Sequence, residues 1–299
     1  GGGYLSSNTT AAFQAAAGNG ISAFNSDGFT FDTGNWEEFN NSAHNYVSWT
    51  FKKQAKFFDI VTWAGDSAVS RNISHNLGSV PGMVVVKCTS HTTDWLVYHR
   101  GVGATHYGSL NDDAAFGANQ YIWNNTTPTS SVFTVSDSTA LNLSGRTYVA
   151  YLFAHDTDAS SLIKCGSYTG TGSTGKAVTL GWEPQWLMIK RTDTAGYSWE
   201  IMDAQRGFAS GNDKVLRANG SNAEITSYDY GAPTSTGFEL TTDIAVNASG
   251  GNYIYMAIRA EETPTITYPS TLKWPSGTAP TSPAIGETDV ITFNTTDGG

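Results

Sequence analysis

Three segments of the chain alternate large apolar residues with smaller or polar ones, which is the pattern of a β-strand that buries one face. They read SAHNYVSWTFKK at 42–53, SGRTYVAYLFAHD at 144–156 and SGGNYIYMAIRAEE at 249–262. The large apolar positions that share a face are Val47, Trp49 and Phe51 in the first segment, Val149, Tyr151 and Phe153 in the second, and Ile254, Met256 and Ile258 in the third. Each segment is therefore predicted to be a core-facing strand of a two-sheet sandwich.

The three segments belong to a longer repeat with a period of about 100 residues, the size of a whole sandwich domain. HNLGSVPGMVVVK matches VTLGWEPQWLMIK in the last two copies. The paired landmarks are Gly78 with Gly181, Pro81 with Pro184, Lys87 with Lys190 and Trp95 with Trp199, and all three copies share Asn8, Asn111 and Asn219. Proline directly before an apolar run fits the start of a strand.

The repeat divides the chain unevenly. Residues 54–158 (the first repeat) and 159–262 (the second repeat) are complete units, whereas residues 1–53 (the half repeat) match only the C-terminal half of one. Residues 263–299 form a Pro-rich connector that ends in a single strand, DVITF. Half a sandwich exposes its inner face, so we expect Val47, Trp49 and Phe51 to be covered by upstream chain, by another subunit or by DVITF.

Composition agrees with an all-β protein and excludes several partners. Hydrophobic residues make up 39% of the chain, charged residues only 14%, and the net charge is -10. An acidic surface does not neutralise phosphates, so we predict no nucleic-acid partner, and the longest apolar run is too short to cross a membrane. Cys88 and Cys165 could pair, but their non-equivalent strand positions favour free thiols.

The polar residues reveal no catalytic or metal-binding pattern. The six histidines have no metal-ligand spacing, GTGSTG at 170–175 is typical of a hairpin turn, and no G-x-S-x-G elbow occurs. Local carboxylate clusters occur, among them Glu37 with Glu38, Asp112 with Asp113 and Glu200 with Asp203, yet none recurs in a sister unit. We therefore predict no enzyme, no cofactor and no metal, while the oxygen-rich stretches at 26–35 and 111–113 leave calcium open.

Aromatic residues provide the one candidate binding signal. Tyr121 and Trp123 lie in the polar stretch NQYIWNNTTPTS, and Tyr228 and Tyr230 lie in the equivalent ITSYDYGAPTST. Flat aromatic faces could stack on sugar rings, so these four residues are the predicted ligand contacts. The alternative is that they cover the rim of the sandwich or a subunit interface.

The stretches IKCGSYTGTGSTG, LGWEPQWLMIKR, SWEIMDAQRG and NYIYMAIR resemble a repeat module of tail-fibre and other virion structural proteins of marine tailed bacteriophages, including cyanophages. The resemblance covers residues 1 to about 262. It implies tandem concanavalin-like or jelly-roll sandwiches, a location in the virion (the extracellular particle), other virion proteins as partners, and a homo-oligomer, with a trimer favoured. It also implies a tail fibre or appendage that adheres to host surface glycans. The alternatives are a carbohydrate-binding or depolymerase protein and a capsid-decorating protein.

Overall fold

Antiparallel β-sheets make up nearly all of the regular structure, in agreement with the all-β prediction. The computed structural model describes residues 2–16, 20–32, 40–158 and 160–260, so the predicted connector and strand DVITF lie outside the described residues. Within the described residues, no helix is long and apolar enough to cross a bilayer.

Among the described residues of the half repeat, two pairs of short antiparallel strands occur. Their strands are β1 (Gly3–Tyr4) paired with β2 (Gln14–Ala15), and β3 (Ile21–Phe24) paired with β4 (Phe29–Phe31).

The first repeat contains a six-stranded sheet and a two-stranded sheet. Its strands are β5 (Phe58–Ala64), β6 (Arg71–Ser74), β7 (Pro81–Cys88), β8 (Leu96–His99), β9 (His106–Ser109), β10 (Gly117–Ala118), β11 (Val132–Val135) and β12 (Thr147–Ala154). The large sheet has the order β10-β9-β8-β7-β12-β5, and the small sheet pairs β11 with β6.

The second repeat follows the same plan. Its elements are β13 (Ile163–Thr169), β14 (Lys176–Thr179), β15 (Pro184–Arg191), β16 (Glu200–Asp203), β17 (Asp213–Arg217), β18 (Ile225–Tyr228), β19 (Gly231–Thr234), β20 (Gly237–Leu240), α1 (Ile244–Asn247) and β21 (Asn252–Arg259). The large sheet has the order β13-β21-β15-β16-β17-β18, in which each strand takes the place of its counterpart in the first repeat, and the small sheet has the order β14-β20-β19.

The repeated landmarks Gly78, Gly181, Pro81 and Pro184 fix how the central strands begin. Gly78 and Gly181 have φ angles of 71° and 87°, which a side chain would strain, and each precedes its strand by a few residues. Both β7 and β15 then begin at the proline, as predicted. Each proline lies beside a bulge in the pairing with the last strand of its repeat, β12 or β21 (the closing strands), where no ladder hydrogen bond is lost.

Each large sheet packs its inner face on the small sheet of the same repeat. In the second repeat, Ile189 and Tyr255 share one buried cluster with Phe238 of β20. In the first repeat, the Trp63 ring lies 5.9 Å from Phe133 of β11 and 5.5 Å from Tyr148. Tyr148 and Tyr253 are equivalent residues, so the same positions of the closing strands point to the sandwich interior.

The face that was predicted to point into each sandwich points outward to a neighbouring unit instead. Ile254 and Met256 belong to the larger cluster, together with the first repeat. Gly82 of β7 approaches the same face so closely that a Cβ there would lie 2.6 Å from Cys165 Cβ. The prediction of the inward face was wrong because β12 and β21 each carry buried residues on both faces, which makes alternation ambiguous.

The half repeat differs from its prediction in two ways. Residues 47–53 match the closing strands in sequence but join no sheet within the described residues. Trp49 and Phe51 are half-buried, with ring centroids 6.2 Å and 6.3 Å from Trp186 of the second repeat, while Val47 remains 37% exposed. Phe51 also lies 5.5 Å from Phe153 and 5.6 Å from Phe58 of the first repeat. Their cover is thus the first and second repeats of the same chain, which were not among the three predicted sources.

Candidate functional site

A buried lysine joins the half repeat to the first repeat. Lys87 lies in β7, and its Nζ donates to the carbonyl oxygens of Thr10, at 2.8 Å, and Thr93, at 2.6 Å. Burial lowers the pKa of this ammonium group. A buried ammonium ion needs such acceptors, because an unpaired charge in the interior is costly. Lys87 of β7 therefore joins the first repeat to the half repeat through the carbonyl group of Thr10.

The same contact recurs one repeat further along the chain. Lys190 in β15 donates to the carbonyl oxygens of Asp113, at 3.2 Å, and Tyr197, at 2.6 Å. Burial lowers its pKa to about 8. Asp113 belongs to the first repeat and Tyr197 to the second, so Lys190 links these two repeats as Lys87 links the preceding pair.

The repeated tryptophans reach the same linking segments, residues 6–13 in the half repeat and 109–116 in the first repeat. Trp95 Nε1 donates to Ser6 O at 3.0 Å, and Trp199 Nε1 donates to Ser109 O at 2.9 Å.

Backbone hydrogen bonds hold the other end of each linking segment. The amide of Phe13 donates to Thr89 O at 2.8 Å, and that of Phe116 donates to Thr192 O at 2.9 Å. Lysine, tryptophan and threonine thus form one docking set, and each docking set holds the linking segment of the preceding unit.

The repeated asparagines position the tryptophans within this docking set. Asn111 Oδ1 accepts from the amide of Trp95 at 2.7 Å, and Asn219 Oδ1 accepts from the amide of Trp199 at 2.9 Å. The sequence identified Asn111, Asn219 and both tryptophans as landmarks, but gave them no role. A lysine that stays at one position of an otherwise apolar strand is the signal that could have found the docking set.

A second set of contacts joins the units through the strands after the tryptophans. His99, at the end of β8, is buried. Its Nε2 lies 3.1 Å from Tyr255 O of the second repeat, and its Nδ1 accepts from the Gly101 amide at 3.1 Å. Because Nε2 faces a carbonyl and Nδ1 faces an N–H group, the imidazole is neutral with its proton on Nε2. Burial lowers the pKa of His99 to about 3.

Asp203, at the end of β16, has the equivalent position in the second repeat and contacts the half repeat. Its Oδ2 accepts from Trp49 Nε1 at 3.1 Å and from Arg206 Nε at 2.6 Å. The Arg206 guanidinium also lies 5.3 Å from the centroid of the Trp49 ring. An acid at this position can accept from the indole, and its buried charge is matched by the guanidinium.

The four predicted aromatic contacts do not form one surface. Trp123 is 2% exposed and lies 6.1 Å from Tyr98 in an edge arrangement, because Asn124 and Asn125 take positive φ angles of 55° and 49° at the turn beside it. Tyr230 is 1% exposed, and its amide donates to Asp213 Oδ2 at 2.7 Å. These two residues are core residues, which corrects the prediction that they contact a ligand.

Tyr121 and Tyr228 remain accessible, at 64% and 40% exposure. Tyr121 lines a shallow depression of about 440 Å³ with Asn119 and Gln120. Tyr228 stacks on Tyr230, with ring centroids 5.5 Å apart. Only one face of the Tyr228 ring can therefore meet a ligand.

A cleft of about 510 Å³ lies between the first and second repeats and includes His106, Thr169, Asp193 and Asn252. Asp193 is the only carboxylate among the described residues that line it. Burial acts to raise the pKa of Asp193, but the hydrogen bond from Arg191 at 2.8 Å and the Asn252 amide keep that pKa lowered. A single carboxylate engaged in an ion pair does not provide the two carboxyl groups of a glycosidase.

Glu200 and Asp203, one of the predicted carboxylate clusters, are each engaged by an arginine. Glu200 accepts from Arg217 Nε at 3.1 Å, and burial raises its pKa. Asp203 is held by Arg206, and the pair Glu37 and Glu38 lies outside the described residues. Among the described residues, no group of three His, Cys, Asp or Glu side chains could hold a metal ion. Both cysteines are buried and free.

Fold and contacts define an all-β protein whose sheets are joined by recurring side-chain to backbone hydrogen bonds. The chain belongs to the family DUF7483, a domain of unknown function, which it matches over residues 2–264. No curated protein and no solved structure matches it. The family therefore covers the half repeat and both repeats together.

Proposed function

We propose that the chain is a non-enzymatic structural component of a bacteriophage virion, a tail fibre or appendage built from tandem concanavalin-like or jelly-roll sandwiches. The observation that carries the proposal is the docking set. Lys87 with Trp95, and Lys190 with Trp199, make the same contacts to the preceding unit. The polar side chains that recur are those that bind one unit to the next.

Assembly is the second part of the proposal. We propose a homo-oligomer, with a trimer favoured, that contacts other virion proteins. The support for this part is the resemblance to tail-fibre modules, whose matching stretches include Lys190 and Trp199. Light scattering at micromolar concentration is expected to give three times the chain mass of 31.9 kDa. A mass of one chain over the whole concentration range would contradict the trimer.

Location in the particle is tested by labelling. A gold-conjugated antibody against the chain is expected to mark the tail fibres of phage that encode it. Antibody preabsorbed with the purified chain is the control. Labelling of the head shell would assign the capsid-decorating alternative, and absence of the chain from purified particles would refute both.

Host-glycan binding is a second candidate function, favoured by one observation. Tyr121 presents an exposed ring beside the amides of Asn119 and Gln120, a combination that suits a sugar face and its hydroxyl groups. Titration calorimetry with host-surface oligosaccharides is expected to detect binding that Tyr121→Ala abolishes and Tyr121→Phe retains. Equal binding by wild type and Tyr121→Ala would remove this surface from consideration. Release of shortened sugars would instead indicate a depolymerase.

A further inference from the structure

The three units contact one another in a cyclic order, but among the described residues only two of the three linking segments are seated on a docking set. The linking segment of the half repeat seats on the first repeat, and that of the first repeat seats on the second repeat. The second repeat in turn contacts the half repeat, through Asp203 and Trp49. The linking segment of the second repeat would need a further docking set, positioned beside the half repeat. Three local features of the chain indicate where that docking set would bind.

The first sign is a third linking segment, residues 217–224. Its turn has the same bond as the first segment: the Gly220 amide donates to Arg217 O at 3.3 Å, as the Thr9 amide donates to Ser6 O at 3.3 Å. Ala223 is exposed in this segment, whereas its counterparts in the two seated segments, Ala12 and Ala115, are half-buried. The third segment thus shares the turn of the first seated segment but leaves its alanine exposed. It contacts the half repeat where Ser7 Oγ donates to Ala218 O at 2.7 Å.

The second sign is on the outer face of the first repeat. Cys165 and Met256 on the second repeat are buried beneath the first repeat. Their counterparts on the first repeat, Ile60 and Tyr151, are only half-buried. Both pairs occupy equivalent places in the registers of the closing strands, so the difference comes from the cover and not from the sheet.

The third sign is the backbone of residues 47–53. The equivalent strand β12 lies between β5 and β7, and β21 lies between β13 and β15. Both flanking strands belong to the first half of a repeat. Residues 47–53 form no ladder within the described residues, so they lack the partners that their counterparts have.

We propose that this place binds the first half of a further repeat, a polypeptide with the pattern of residues 54–103. The strands of this polypeptide would flank residues 47–53, and its outer strands would cover Ile60 and Tyr151. Its lysine would donate to the carbonyl oxygen of Ser221, and its tryptophan would donate to the carbonyl oxygen of Arg217. A cleft of about 830 Å³, lined by His44, Arg206, Lys214 and Glu224 among others, marks the edge of this surface.

The occupant is a separate half unit and not a second copy of the chain. In a second copy, Lys87 with Trp95 and Lys190 with Trp199 already hold segments of their own chain. Those docking sets would have to open before they could seat a segment of a neighbour. A half unit with a vacant lysine and tryptophan has no such cost.

The test fuses a second copy of residues 54–103 in front of the full chain and compares amide hydrogen exchange with the chain alone. Exchange in residues 47–53 and 221–224 is expected to slow by about tenfold or more, because their amides become covered or hydrogen-bonded. A matched fusion carries Lys87→Ala and Trp95→Ala in the added copy only. It is expected to lose the protection at 221–224.

A second fusion, with residues 160–211 of the second repeat as the added copy, guards against an added segment that fails to fold. If neither fusion slows exchange while the rest of the chain keeps its pattern, the proposal is overturned. It is also overturned if the chain alone already protects both segments at low concentration, since its own residues 261–299 would then fill the place. Protection that grows with the concentration of the chain alone would assign a second copy, against the proposal.

Discussion

Mild acid is expected to weaken the contact between the first and second repeats through His99. The imidazole is buried, donates from Nε2 to Tyr255 O and accepts the Gly101 amide, so protonation would place a second N–H group against that amide. The folded pKa is about 3, against the ordinary value of 6.5. Because the folded value is the lower one, this stabilisation is complete above about pH 6.5 and is lost as the pH falls toward 3.

The expected magnitude follows from that difference in pKa. The full effect is about 5 kcal/mol between pH 6.5 and 3, at about 1.4 kcal/mol for each pH unit. Between pH 7.0 and 5.5, the loss from His99 alone is about 1.2 kcal/mol. Asp213, whose pKa burial raises to about 6, titrates in the same range, so the contribution of His99 is isolated by comparison with a His99 variant. His155, whose pKa burial lowers to about 4, is expected to add a loss of its own.

Urea unfolding followed by tryptophan fluorescence at pH 7.0 and pH 5.5 measures this loss. In His99→Gln, an amide retains a donor for Tyr255 O but does not titrate, so the difference between the two pH values is expected to shrink by about 1.2 kcal/mol. His91 is exposed, and His91→Gln is expected to keep the wild-type difference. An unchanged difference in His99→Gln would show that His99 is not held neutral.

Three further predictions test the contacts and the aromatic residues. Lys190→Met is expected to lower the free energy of unfolding by about 1 to 3 kcal/mol, because Tyr197 O loses its ammonium donor. In the same urea titration, the exposed control Lys214→Met is expected to change the free energy of unfolding by less than about 0.5 kcal/mol. Trp123→Ala is expected to lower the free energy of unfolding by about 3 to 5 kcal/mol, and Tyr121→Ala is expected to leave it almost unchanged. Equal losses would contradict the assignment of Trp123 to the core and Tyr121 to the surface. Gly82→Ala is expected to lower the thermal midpoint, because the new methyl group meets Cys165, and an unchanged midpoint would mean that the two repeats do not approach as described.

The sequence predicted the strands better than it predicted what covers them. Pro81, Pro184 and the alternating closing segments located β7, β15, β12 and β21, because turn chemistry and periodicity are local properties. Which face of β21 points inward was not predictable in the same way. A strand that is buried on both faces carries apolar residues throughout, and periodicity does not identify the two neighbours.

The candidate site shows the same limit. Trp123 and Tyr230 stand among polar residues in the sequence, yet both are buried, Trp123 beside a turn and Tyr230 in the short connection between β18 and β19. Asp203 and Trp49 meet across 154 positions of the chain, and nothing near either residue signals the contact. The repeated Lys87 and Lys190 were visible as landmarks, but their acceptors are main-chain carbonyl oxygens, which leave no trace in the identity of the residues that provide them.

That choice of acceptor has an evolutionary consequence. The residue whose carbonyl receives the tryptophan is Ser6 at one contact and Ser109 at the next, and the lysine meets Thr10 in one and Asp113 in the other. Every residue has a carbonyl group, so the linking segments can drift in sequence at positions other than the repeated asparagine while the fit between units persists. Recombination that exchanges whole units between related genes would then yield arrays that still assemble, provided that each incoming unit keeps its lysine and its tryptophan.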